Sequence, residues 1–368
     1  MTIVGVPKEV KEEEYRVAMT PAGVRELAKR GHRVIVEHNG GASSGFADDD
    51  YVSNGAKIAE SPDEVFEKAD IIVKVKEPLA GEWPMIRQGQ TVFTYFHFAA
   101  DRGLTDAMMR SGAVCVAYET VERDNYLPLL FPMSEIAGRI APIMGSRFLA
   151  KYEGGRGILV TGASGVLPAK VVILGGGSVG ANAAMVASGL NARVTILEVN
   201  IERIKKLNEI MPKNVNVVFS NDYNLMKEAM GADMLIGAVL IPGKTAPKLV
   251  NMEVFRAMGE GSVFVDVAID QGGCSETSRP TSHRNPVYVE EGVVHYCVTN
   301  MPGIYPRTST IALTNSTMSY VCALADKGWK AALRGDPALM KGLNIVDGKV
   351  TNHAVAESHG LEFTLFEA

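Results

Sequence analysis

KVVILGGGSVGANAAMVASGLNARVTILE, residues Lys170 to Glu198, presents in order a short apolar run, a glycine loop, a small-residue helix pattern, a second β-rich run and an acid. Val171 to Leu174 has the length and branching of a buried strand. Gly175, Gly177 and Gly180 then fit G-x-G-x-x-G, with Ser178 and Val179 opening the helix pattern. Glu198 ends the next strand, 23 positions past Gly175, near the spacing of about 20 that suits a ribose-binding acid. Each part has a physical task. Gly175 permits the tight turn, Gly177 lets the backbone approach a pyrophosphate, and Gly180 lets the helix lie close to the sheet. Unpaired N–H groups and the dipole at the helix start attract the anion. A plain glycine turn in a βαβ unit is the bland alternative, and the complete context favours a dinucleotide. The Glu198 carboxylate can accept from ribose hydroxyls and would repel a 2′-phosphate, which selects NAD over NADP. Arg203, five residues on, could soften that preference.

Two nearby stretches imitate other features. Thr161-Gly162-Ala163-Ser164-Gly165 follows the apolar run Ile158 to Val160 like a second phosphate loop, but Pro168 and a new strand come at once. With no helix start to hold a phosphate, it reads as a hairpin turn. The uncharged span Val171 to Ala192 is long enough for a membrane helix. Its three consecutive glycines and its asparagines argue instead for a buried strand and a buried helix.

A chain of 368 residues allows two domains with separate cores. A net charge of −5, with signs intermixed, leaves no nucleic-acid footprint. The opening MTIVGVPKEVKEEE has no apolar signal-peptide core before its charged run, so a cytoplasmic location is expected. Cys115, Cys274, Cys297 and Cys322 lack CxxC spacing and sit mostly in apolar surroundings. They read as buried reduced thiols, with no disulfide and no metal expected.

Strand and helix patterns alternate nearly throughout, which argues for an α/β fold with parallel sheets. Strands are expected near Ile3 to Val6, Arg33 to Glu37, Asp70 to Val75, Thr91 to Phe96 and Ala113 to Tyr118. Further strands follow the nucleotide unit near Val215 to Phe219, Met234 to Val239, Val263 to Ala268 and Tyr296 to Thr299. Thr20-Pro21 and the capping box Ser61-Pro62-Asp63-Glu64 mark helix starts. Long helices are expected from about Ser134 to Lys151, kinked at Pro142, and from about Thr310 to Trp329. The short elements beyond cannot form a domain and must pack on the first lobe. The expected architecture is two Rossmann-like lobes joined by two long helices, with the nucleotide domain inserted in the chain. Residues 1–130 plus 306–368 form the substrate domain and 131–305 the NAD-binding domain.

Ligands of open parallel sheets sit beyond the C-terminal strand ends. That rule selects Arg16, Lys74 or Lys76, His97 and Glu119 in the first lobe. In the second it selects Glu198, Ser220, Asp270, Asn300 and Met301. Cations that hold a carboxylate, beside a titratable group, suit hydride transfer to or from a small anionic substrate. Each has a plainer reading. Arg16 follows an acidic run and could be a surface ion-pair partner; His97 could be a satisfied core histidine. Asp270, in DVAIDQGG, could form an Asx-turn. Lys74 and Lys76 share strand parity, so periodicity cannot choose between them.

These residues occur in segments that resemble the bacterial L-alanine dehydrogenase family, which also includes transhydrogenase alpha subunits. The resemblance spans nearly the whole chain: GVPKEVKEEEYRVAMTPAGV at the start, KVKEP at 74–78, YFHFAA at 95–100, YETV at 118–121 and LPLLFPMSEIAGRIA at 127–141. It continues in DVAIDQGGCSETSRPT at 266–281 and CVTNMPGIYPRTST at 297–310. It implies NAD-dependent conversion of L-alanine to pyruvate and ammonium. By the same resemblance Arg16 holds the substrate carboxylate, Lys76 contacts substrate oxygens, and His97 and Asp270 are acid/base residues. The implied cofactor contacts are Ser134, Gly175, Gly177, Ser178, Val179, Gly180, Glu198, Arg203, Ser220, Val239, Leu240, Asn300 and Met301. Glycine in GGGSVG replaces an alanine common in relatives, and the ribose acid is Glu rather than Asp; both leave NAD as the expected cofactor. A homohexamer is implied by resemblance alone. A transhydrogenase nucleotide-binding subunit and a saccharopine- or lysine-type dehydrogenase are the competing readings.

Overall fold

The computed structural model describes residues 1–239 and 246–366, so Leu240, one of the expected cofactor contacts, lies outside the described residues. In chain order the strands are β1 (Ile3–Val6), β2 (Arg33–Glu37), β3 (Ala56–Ala59), β4 (Ile71–Val73), β5 (Thr91–Thr94) and β6 (Val114–Ala117). Then come β7 (Lys170–Leu174), β8 (Arg193–Glu198), β9 (Val215–Phe219), β10 (Met234–Gly237), β11 (Val263–Asp266), β12 (Val287–Glu290), β13 (Val293–Tyr296), β14 (Leu343–Val346) and β15 (Lys349–Val350). Two compact units contain them: Met1–Met133 with the segment from Gly303 onward, and Ser134–Pro302.

In the first unit the described strands run in the order β15-β14-β6-β5-β4-β1-β2-β3. β1 to β6 are all parallel, and their apolar runs are buried because helices cover the sheet. The helix Pro21–Lys29 starts as its sequence implies, with the Thr20 hydroxyl accepting the Gly23 N–H and proline at the first position. Ser61 caps Pro62–Lys68 in the same manner, accepting the Glu64 N–H. The chain leaves β1 toward β2 and β3, then returns to the other side of β1 for β4. The sheet therefore has a switch point between β1 and β4, where a ligand crevice forms. β14 adds to β6 antiparallel and β15 folds back on β14. Ile345, Val350 and Val355 of this tail join the core formed by Ile72, Val92, Phe96 and Cys115. Burying such side chains contributes roughly 1.5–3 kcal/mol each, which anchors the tail to this unit.

The second unit has the order β12-β13-β11-β10-β7-β8-β9, parallel except for the antiparallel edge strand β12. Its switch point lies between β7 and β10. A core of Val172, Leu174, Leu235, Phe255 and Phe264 fills one face. The helix Phe131–Phe148 contains Pro142 and passes from one unit's residues to the other's. Within the second unit it meets the helix Ser178–Gly189 at Gly138, where a Cβ would come 2.3 Å from the Val179 carbonyl oxygen. The 22-residue helix Pro306–Lys327 belongs to the first unit. Its Thr310 hydroxyl accepts the Val17 N–H at 3.1 Å.

Several expected bounds need correction. β4, β5, β6, β10 and β11 stop one or two residues before their expected ends; after β5, β6 and β11 the chain curls into the single 3-10 turns Phe98–Ala100, Tyr118–Thr120 and Val267–Gln271. β13 covers Val293–Tyr296 rather than Tyr296 to Thr299. The long helices begin earlier than expected, the second at Pro306, since proline suits a first helical position. β3, β12, β14 and β15 were not anticipated. Thr161 to Val166 does form a tight turn, with Ala163 bridged to Val166. All four cysteines are buried free thiols.

Candidate active site

In the first unit Arg16, Lys76 and His97 follow β1, β4 and β5 in the chain, three strands that lie side by side in the sheet. Arg16, 3 % exposed, is held by Glu14 through Nε–Oε1 (2.6 Å) and Nη2–Oε2 (2.5 Å). Glu14 also accepts the Arg16 amide, and Nη1 reaches Met133 Sδ at 2.9 Å. The pairing with the acidic run is real, but it is buried rather than superficial. Burial pulls the Arg16 pKa down, and the attraction and hydrogen bonds of Glu14 outweigh it, leaving the pKa raised.

The two lysines are separated by what surrounds them. Lys74 is fully buried, with Nζ 2.8 Å from Glu82 and 3.4 Å from Glu9. Desolvation opposes its charge, and the two carboxylates more than compensate. Glu9 also accepts the amides of Val75 and Lys76. Lys74 is thus a structural ion, whereas Lys76 is half-buried at the strand's exit.

His97 is exposed, which excludes a core histidine. It has left-handed backbone (φ 54°, ψ 38°). Its ring stacks on Tyr95 with centroids 6.0 Å apart and planes 12° from parallel. The Tyr95 hydroxyl donates to the Leu129 carbonyl at 2.5 Å. Glu119, half-buried after β6, accepts the His97 amide at 2.6 Å and the Phe96 amide at 3.2 Å. An open depression elsewhere in this unit, lined by Asn39, Phe46 and Asp48 among others, holds none of these candidates. Its Asp48 is already bonded to His38 and the Asn39 amide.

In the second unit the glycine loop has the close contacts a phosphate cradle requires. Gly175 has φ 93°, and a Cβ there would lie 2.7 Å from the Ala238 carbonyl oxygen just past β10. At Gly180 a Cβ would lie 1.8 Å from the Gly175 carbonyl oxygen. Gly177, by contrast, faces open space. The helix Ser178–Gly189 has no side-chain cap, and its first bond is from the Ala181 amide to the Gly177 carbonyl. The amides of Ser178, Val179 and Gly180 precede that bond and so lie outside the helix's own ladder, as anion binding needs. Glu198 Oε2 accepts the Gly176 amide (2.7 Å), and Oε1 accepts those of Val199 and Asn200 (both 2.9 Å). With about four acceptor positions on a carboxylate, Glu198 keeps room for a ribose hydroxyl. Arg203 lies along the loop, Nε donating to the Gly176 carbonyl at 2.6 Å and Nη2 to that of Gly177 at 3.4 Å. These residues fit a dinucleotide.

Asp266 and Asp270 also have separate tasks. Asp266 is buried and accepts the amides of Ala268 and Cys274 and the Ser278 hydroxyl. Burial raises its pKa against those hydrogen bonds. Asp270 is exposed, and its Oδ1 accepts the amide of Asn300, itself left-handed at φ 55°. Met301 is buried beside it in the chain. Ser220 gives its amide to the Glu198 carbonyl, Val239 packs on the core past β10, and Ser134 lies in the first turns of Phe131–Phe148. Among the described residues no cluster of His, Cys, Asp or Glu could hold a metal ion. The roles of Glu14, Glu9 and Glu82 were missed in the sequence because each partner is set by folding rather than by spacing.

Residues 5–137 match a family domain described as alanine dehydrogenase/PNT, N-terminal domain, and residues 141–353 its C-terminal domain. The alanine dehydrogenase of Halomonas elongata is 51% identical over 98% of this chain and 97% of its own length. That of Methanococcus maripaludis is 50% identical, covering 98% of both chains. A solved L-alanine dehydrogenase superposes with a TM-score of 0.94 at 48% identity, over 97% of this chain and 99% of that one. A transhydrogenase from Sinorhizobium meliloti, at 24% identity and a TM-score of 0.82, shares the fold. With family domains and relatives of this similarity spanning nearly its whole length, the chain belongs to the alanine dehydrogenase/PNT family.

Proposed function

We propose that this protein is an NAD-dependent L-alanine dehydrogenase, converting L-alanine and water reversibly to pyruvate and ammonium. The observation that carries this reading is the near-full-length similarity, about half of the residues identical, to proteins named alanine dehydrogenase, and it is supported by Arg16, Lys76 and His97 following three adjacent strands of one parallel sheet. A bound nicotinamide supplies the hydride acceptor. Gly175, Gly177, Ser178, Val179 and Gly180 hold its pyrophosphate, and Glu198 its adenosine ribose. Ser134, Arg203, Ser220, Val239, Leu240, Asn300 and Met301 complete the proposed contacts.

Arg16 and Lys76 bind the substrate carboxylate and orient the Cα–H. The amine must be neutral before its carbon is oxidised, and His97 and Asp270 take the protons. Hydrolysis of the resulting C–N bond needs a proton removed from water and one delivered to nitrogen, which the same two groups provide. The proposed assembly is a cytoplasmic homohexamer; among the described residues no helix is long and apolar enough to cross a membrane.

The test is NAD reduction by the purified protein with L-alanine, run beside lysine, saccharopine and glycine. Reduction with alanine is expected; turnover of one of the others with alanine inert would overturn the reading. His97→Ala should lower turnover by about 100- to 10,000-fold while NADH binding persists. Unchanged alanine oxidation in that variant removes His97 from the chemistry.

A further inference from the structure

Most of the non-glycine residues with positive φ are Asn or Asp, types at ease in that region: Asn39, Asp124, Asn125, Asn191, Asn300 and Asp347. Glu13, His97 and Glu291 are the others, and His97 (φ 54°) holds a backbone conformation that glycine would adopt more freely. A strained residue persists only where its surroundings over-determine it, and such residues concentrate at sites of function. The surroundings here are specific. β5 and β6 are parallel neighbours in register at Thr94 and Ala117. Both strands then stop, and the turn Tyr118–Thr120 brings the Glu119 carboxylate to the amides of Phe96 and His97. Two donors from successive residues converge on one carboxylate, which fixes the backbone at the bend. Tyr95, anchored through its hydroxyl to Leu129, fixes the plane of the imidazole.

Resting on the function proposed above, we infer that Glu119 is a positioning residue. By accepting these amides it locks the left-handed turn that presents the His97 imidazole to substrate. It needs no contact with substrate to do so. Glutamine at 119 has one acceptor oxygen in place of two, so it should hold the turn in part; alanine should release it.

Glu119→Ala, Glu119→Gln, His97→Ala and the double variant Glu119→Ala/His97→Ala test this through alanine oxidation, NADH binding and a crystal structure of a Glu119 variant. Glu119→Ala is expected to lower kcat by about 100-fold, the order expected for a misplacement of about 1 Å. KM for alanine and NADH affinity should change little, and Glu119→Gln should recover part of the loss. In the His97→Ala background, removing Glu119 should cost nothing further, because both changes remove one device. Additive losses, or full activity in Glu119→Ala, would overturn the inference. Should Glu119→Ala not fold, Glu119→Gln carries the same cycle. The crystal structure decides independently of the substrate: His97 is expected to leave its positive φ and its stack on Tyr95. An unmoved His97 rejects the positioning role even if alanine is turned over. A moved His97 in a protein inert to alanine instead rejects the proposed reaction and leaves the clamp standing.

Discussion

Lys74 and Lys76 show how two identical side chains two positions apart come to do different things. Lys74 neutralises two buried carboxylates, so Lys74→Ala should leave Glu9 and Glu82 uncompensated and cost roughly 3–5 kcal/mol. Lys76→Ala, at a half-buried position, should cost less stability than that and raise KM for alanine. Urea unfolding and steady-state kinetics on both variants check the assignment; a reversal of the two effects would refute it. Arg16 and Glu14 form a second buried pair. Arg16→Ala strands a buried carboxylate and should destabilise by a comparable 3–5 kcal/mol. In Arg16→Gln/Glu14→Gln no charge is stranded, so the stability loss should be smaller while pyruvate binding stays weak. Recovered pyruvate affinity in the double variant would show that Arg16 does not bind the substrate. At this scale the sequence was half legible. Strand-end position nominated Arg16, His97 and Asp270 as candidates, but parity was mute on the lysines because positions 74 and 76 fall on the same face of a strand. Glu14 and Glu119 find their partners only once the strands align.

Among elements, the glycine loop makes the sharpest contrast. Gly180→Ala would force its Cβ to within 1.8 Å of a carbonyl oxygen, so the helix Ser178–Gly189 must shift. A stability loss of more than about 1–3 kcal/mol, the usual cost of overpacking, is expected, together with loss of NAD binding. Gly177→Ala meets no protein atom within 4 Å, and its φ of −65° suits alanine. Its melting temperature should hold while NAD affinity falls at least about tenfold, measured by calorimetry. Equal NAD affinity in Gly177→Ala would mean that the pyrophosphate does not approach there. The loop was legible because its glycines, helix and acid are local in sequence. The edge strands were not: Leu343–Val346 is four residues long and takes its place only by pairing with β6. The overshoots at β5, β6 and β11 share one cause. Apolar residues continue past the strand ends into single turns; Glu119 and Asp270 lie in two of these, and His97 immediately precedes the third.

For the whole molecule, acid stability should depend on His295. It is buried among Phe255, Phe264 and Tyr288, bonded to Thr277 and to the Val293 carbonyl. Burial depresses its pKa below the ordinary 6.5. Between the two pKa values the unfolded chain binds a proton that the folded chain does not. Stability present above pH ~6.5 is therefore lost as pH falls toward the folded pKa, by at most about 1.4 kcal/mol for each pH unit. Melting curves from pH 7.5 to 5 should show this decline, and His295→Gln should flatten it; parallel curves for the two proteins would exclude His295 as its source. The antiparallel docking of β14 has a further consequence for how the protein is made. On the ribosome, β6 emerges early, but the strand that covers its edge is translated only after the entire Ser134–Pro302 unit. That unit is continuous in the chain and can fold while synthesis proceeds. The nascent first sheet meanwhile keeps the bare border Val114–Ala117, and aggregation during expression should begin there.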